Sequence, residues 1–95
     1  VQAMQDHETR EARLKRMRMR SWRRGTKEMD LILGPFADAF LAQMIEEDLA
    51  VYDLLLEEND QDLLPWVLGQ RPAPESLVQM ISQIGVAARA RFANR

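Results

Sequence analysis

Hydrophobic positions recur mostly at intervals of three and four along this chain, with charged and amide residues between them. That period predicts helices from end to end and no convincing strand. The clearest stretch lies mid-chain. Ile45, Leu49, Tyr52 and Leu56 repeat at four, three and four, with Leu55 alongside, while Glu46, Glu47, Asp53 and Glu57 occupy the other face. Before it, Met29, Ile32, Leu33, Phe36 and Phe40 form a second apolar stripe. Thr26 is a good N-cap for that helix, and Glu28 in its first turn complements the helix dipole. Pro35 removes the backbone bond to Leu31, so a kink or a restart is expected at Gly34-Pro35. Leu77, Ile81, Ile84, Ala88 and Phe92 make a last stripe that starts near Pro74-Glu75. Gly85 within it either weakens the helix by roughly 1 kcal/mol or lets another helix approach closely.

Two shorter elements complete the pattern. One runs from about Gln61 to Leu68, capped by Asp60 or Asp62 and stopped by Gly69; Pro65 favours a late start. The rigid string Arg71-Pro72-Ala73-Pro74 follows it. The other runs from Asp6 or Thr9 to about Arg23, with thin apolar content, and Gly25 is placed to close it. Five helices with short connections predict a small all-α bundle.

Ninety-five residues make one domain, 1–95, with residues 1–9 as a candidate disordered lead. Cysteine is absent and the one histidine, His7, stands alone, so neither thiolate nor histidine-cluster metal sites are available. No apolar run approaches the roughly 18–20 residues of a membrane span. Net charge is only −2 but is lopsided: residues 1–27 hold nine cations against three acids, a net +6, and residues 28–95 hold four against twelve, a net −8. Such a dipole is expected to steer encounters with a partner.

Charge and motifs narrow the chemistry. There is no nucleophile elbow, no phosphate-cradling glycine loop and no fingerprint for free FAD, so an enzyme is not expected. The arginine-rich first helix has three readings: nucleic-acid binding, membrane-surface binding, or a charged docking face for a protein. The acidic remainder of the chain and the lack of a wide apolar face argue against the first two. Asp60, Asp62 and Trp66 read mainly as helix start and core.

Where the basic segment ends stands Arg24-Gly25-Thr26-Lys27-Glu28. By residue type alone this is a helix–glycine–helix corner. Gly25 permits close backbone approach, Arg24 offers a planar donor fork, and Glu28 is placed to orient that arginine or bind a cation. The wider string adds more. Arg23-Arg24-Gly25 precedes Glu28-Met29-Asp30, then come Pro35-Phe36, Leu54-Leu55-Leu56-Glu57 and Asp60-Gln61-Asp62-Leu63 with Trp66. In this order and spacing, roughly from Leu14 to Arg91, the chain resembles the SdhE-type succinate dehydrogenase assembly factors with their RGxxE motif. Gln61 departs from the family's proline at that position.

The resemblance implies a helical maturation factor that docks on the flavoprotein subunit of succinate dehydrogenase, and on that of fumarate reductase as a second candidate. It would promote covalent attachment of FAD, with the chemistry inside the partner and no FAD held tightly by this chain. It assigns docking to Arg24, Gly25 and Glu28, with Arg23 as support. It further implies a monomer with no nucleic-acid partner, in a bacterial cytoplasm or, for a eukaryotic source, the mitochondrial matrix. The alternative is a basic-armed nucleic-acid-binding or regulatory protein.

Overall fold

A computed structural model describes residues 8–93. It contains five α-helices among those residues: α1 (Arg10–Trp22), α2 (Lys27–Phe40), α3 (Glu46–Leu55), α4 (Asp60–Val67) and α5 (Val78–Ala93). A single 3-10 turn, Leu41–Gln43, links α2 to α3. The all-α expectation holds. The start at Asp6 and most of the 1–9 lead lie outside the described residues; Thr9 is the N-cap of α1, its Oγ1 accepting from the Ala12 N–H at 3.0 Å.

The helices pack around one cluster. Met17 of α1, Met29, Leu33 and Phe36 of α2, Leu49, Tyr52 and Leu55 of α3, Leu63 of α4, and Ile81 and Ile84 of α5 are all buried. Removing such side chains from water is the main favourable contribution to folding. Helix α1 lies against α2, and α5 packs on α2, α3 and α4. Gly85 makes the last contact possible: a Cβ there would stand 3.1 Å from the Val67 carbonyl at the end of α4. Gly69 closes α4 with φ +77, and the N–H groups of Gly69 and Gln70 donate back to Trp66 and Pro65 at 3.2 and 2.8 Å.

Pro35 and Pro65 both sit inside helices that continue through them. Neither the restart at Pro35 nor the late start at Pro65 occurs. Each proline orphans the carbonyl four residues earlier, and an arginine from elsewhere supplies the missing donor. Arg91 of α5 donates to the Leu31 carbonyl, and Arg71 donates to the Gln61 carbonyl at 3.3 Å.

Three apolar residues expected inside are outside: Phe40, Ile45 and Phe92 are all exposed. Ile45 is the N-cap of α3, so it precedes the stripe it was assigned to. Phe40 ends α2, with its ring 5.0 Å from Phe36.

Candidate functional site

The turn between α1 and α2 carries the motif. α1 ends at Trp22, and Gly25 takes φ +107, a conformation that L side chains rarely adopt. Thr26 then caps α2, its Oγ1 accepting from the Met29 N–H at 3.4 Å. Glu28 falls in the first turn of α2 and is exposed, as are Arg23, Gly25 and Lys27.

Arg24 points the other way. Its side chain is only 9% exposed. Nε donates to Asp60 Oδ1 at 2.9 Å, and the two terminal nitrogens donate to the carbonyls of Leu56 and Glu58 at 2.7 and 2.6 Å. Those carbonyls follow the end of α3, where the backbone has no helical partner. A guanidinium fork satisfies three acceptors in separate directions at once, which an ammonium on a lysine stem would not reproduce. The Arg24 backbone N–H is also held, by Asp30 Oδ1 at 2.6 Å.

Glu28, placed by sequence either to orient Arg24 or to bind a cation, makes no hydrogen bond to it among the described residues; Asp60 holds the Arg24 side chain and Asp30 its backbone N–H. Asp60 suits a helix start by residue type. It is indeed the first residue of α4, but Asn59 is the N-cap, and the Asp60 carboxylate serves the motif turn. Besides Arg24 it accepts from Thr26 Oγ1 at 3.2 Å. An acid that opens a helix looks the same in sequence whether it caps or reaches across the fold, so only spacing to a known motif would have flagged it.

Part of the charge dipole of the sequence is closed within the fold. Arg10 and Arg13 bind Glu46 at 2.6 Å each, Arg16 binds Asp53 at 2.8 Å and Glu8 at 2.9 Å, and Arg20 binds Glu57 at 2.8 Å. The hydrogen-bonded Arg16 guanidinium holds the carboxyls of Asp53 and Glu8 below their ordinary range. These cations recur every three or four residues on one face of α1. Lys15, Arg18 and Arg23, on the other positions, make no ion pair among the described residues. No group of three or more metal-ligating side chains occurs among the described residues.

Residues 15–86 match the family described as the flavinator of succinate dehydrogenase. The chain belongs to this family. The matched span includes the whole turn from Arg23 to Glu28, as well as Asp30 and Asp60. A relative from Schizosaccharomyces pombe, named succinate dehydrogenase assembly factor 2, mitochondrial, is 44% identical over 69 residues, which is 73% of this chain and 50% of that protein. Another, from Acetobacter pasteurianus, is named FAD assembly factor SdhE and is 38% identical over 64 residues, 67% of this chain and 59% of that protein. A third, from Dictyostelium discoideum and again named succinate dehydrogenase assembly factor 2, mitochondrial, is 38% identical over 61 residues, 64% of this chain and 43% of that protein. The chain thus spans roughly half the length of these relatives, all of them named as assembly factors and none as a catalyst. None of its described helices is long and apolar enough to cross a membrane.

Proposed function

We propose that this chain is a succinate dehydrogenase assembly factor that docks on the flavoprotein subunit, as a monomer, and promotes covalent attachment of FAD there. The flavoprotein of fumarate reductase is a second candidate partner. The observation that carries the reading is the built turn. Gly25 and Glu28 stand exposed on a backbone that internal bonds from Asp30 and Asp60 hold in one shape. Preorganisation of this kind lowers the ordering cost of binding. Beyond Gly25 and its two chain neighbours, no atom lies within 4 Å of where a Gly25 Cβ would be, so a partner backbone has room to approach.

The roles divide by position. Gly25 permits close approach, Glu28 offers a carboxylate with no ion pair among the described residues, and Arg23 adds an exposed cation. Arg24 supports all three from inside. Bond formation between flavin and partner would proceed in the partner's own site, with this chain holding the partner in a favourable geometry. FAD is then the partner's cofactor, not one kept by this chain. Nucleic-acid binding finds less support, because Arg10, Arg13, Arg16 and Arg20 are already engaged with acids of the same chain.

The test is covalent flavin fluorescence of a co-expressed succinate dehydrogenase flavoprotein subunit on a denaturing gel. Flavin signal should rise with the wild-type chain and fall with Glu28→Ala. Equal signal with and without the wild-type chain would discard the reading.

A further inference from the structure

We infer that Asp60, 32 residues beyond Glu28 in the chain, is the positioning residue that gives the docking turn its shape; this rests on the function proposed above. One carboxylate spans the glycine. Oδ1 accepts from Arg24 Nε at 2.9 Å and Oδ2 from Thr26 Oγ1 at 3.2 Å, so the residues on either side of Gly25 are tied to the same group. The Thr26 hydroxyl donates its proton to Asp60 and uses a lone pair to accept from the Met29 N–H. The carboxylate therefore connects through Thr26 to the start of α2, whose first turn carries Glu28. Its own setting suits an anion: Asp60 opens α4, where unpaired N–H groups and the helix dipole favour negative charge.

The carboxylate is also sheltered. The Asp60 side chain is 15% exposed and that of Arg24 9%, so water competes little for either. Each terminal nitrogen of the Arg24 fork reaches a carbonyl of the α3–α4 loop. The turn is thus seated on a loop more than 30 residues away. Two neighbouring arginines divide the labour: Arg23 faces the partner and Arg24 faces Asp60.

The experiment compares wild type, Asp60→Ala, Asp60→Asn, Glu28→Ala and the Asp60→Ala/Glu28→Ala double variant of the full chain. Amide hydrogen exchange is read in the free protein, and affinity for purified succinate dehydrogenase flavoprotein subunit is read at a temperature where circular dichroism shows each variant folded. Exchange at Gly25 to Glu28 should quicken in Asp60→Ala while the α5 amides keep their protection. Affinity should fall roughly tenfold, and adding Asp60→Ala to Glu28→Ala should cost little more, since both act through one surface. If Asp60→Ala does not fold, Asp60→Asn, which keeps the shape and loses the charge, carries the same comparison. Unchanged exchange in the turn would overturn the inference, and so would quickened exchange with wild-type affinity. Failure of the wild-type chain to bind at all would instead overturn the proposed function, while the exchange measurement would still decide whether Asp60 shapes the turn.

Discussion

The hydroxyls of Ser21 and Tyr52 meet at 2.6 Å inside the apolar core, joining α1 to α3. Ser21 Oγ also lies 2.8 Å from the Met17 carbonyl, which only accepts, so the serine donates there and the tyrosine donates to the serine. The two deletions are therefore unequal. Tyr52→Phe leaves Ser21 satisfied and should cost about 1 kcal/mol, whereas Ser21→Ala strands a buried phenol and should cost about 1–3 kcal/mol. Urea unfolding of the two variants gives the order.

Burial pushes the Tyr52 phenol up to about 12. The folded value lies above the unfolded value of about 10, so the proton is held more tightly in the native state. That contribution is complete below pH ~10 and is lost as pH rises from ~10 to ~12, at about 1.4 kcal/mol per unit. Tyr52 is the chain's single tyrosine, so phenolate absorbance during an alkaline titration reports on it directly. An onset near 10 in the folded protein would contradict the burial argument.

On the acid side the Arg16 pairs act in the opposite sense. Asp53 and Glu8 are lowered, so their contribution is present above pH ~4 and disappears as pH falls through their folded values. Both pairs are partly exposed, so Asp53→Asn should cost no more than about 1 kcal/mol near neutrality. It should also flatten the acid limb of stability against pH, and the loss should shrink in 1 M salt.

Gly34 is required by Trp22. A Cβ at position 34 would fall within 2.6 Å of the Trp22 ring carbons Cε2 and Cε3. The indole Nε1 donates to Asp38 at 3.1 Å. Gly34→Ala adds helix propensity yet should destabilise by about 1–3 kcal/mol and shift Trp22 fluorescence as the ring is displaced. A net gain in stability would show that the ring moves freely.

Gly25 is required for another reason. Its Cβ position is open, so size is tolerated and only φ +107 is strained. Gly25→Ala should cost about 1–2 kcal/mol and leave the bundle folded. Gly25→Arg should keep helical circular dichroism and lose flavoprotein binding; retained binding by a folded Gly25→Arg chain would remove Gly25 from the docking surface.

The arginines that serve the two prolines should be conditional. Arg71→Ala should cost about 0.5–1.5 kcal/mol in the native background. In a Pro65→Ala background it should cost less, because alanine restores the N–H that the Gln61 carbonyl lacks. Additive losses in this cycle would mean that water already satisfies the carbonyl.

Much of the fold is local and was legible in one dimension. Thr26 caps α2 as expected, Thr9 caps α1 at one of its two expected starts, and Gly25 and Gly69 adopt positive φ where helices end. The stripe of Met29, Ile32, Leu33 and Phe36 is buried as its spacing predicts. Caps, glycine turns and apolar period are set by residues within four or five positions of one another, so sequence determined five helices, their approximate ends and the location of the motif turn. It also determined, through the order of its motifs, the family.

Tertiary structure alone decided what each charge does. Arg24 meets its acceptors 32 to 36 residues away, Arg16 meets Asp53 37 away, and Arg91 reaches a carbonyl 60 away. Neighbouring arginines with the same side chain, Arg23 and Arg24, differ only in which way the end of a helix turns them. A pairing energy depends on distance and burial between atoms that chain order does not bring together. For that reason the basic and acidic halves, which read as a dipole, meet in part: five arginines of the first pair with acids of the second. The same folding exposes Gly25 and Glu28 and turns Arg24 inward to Asp60.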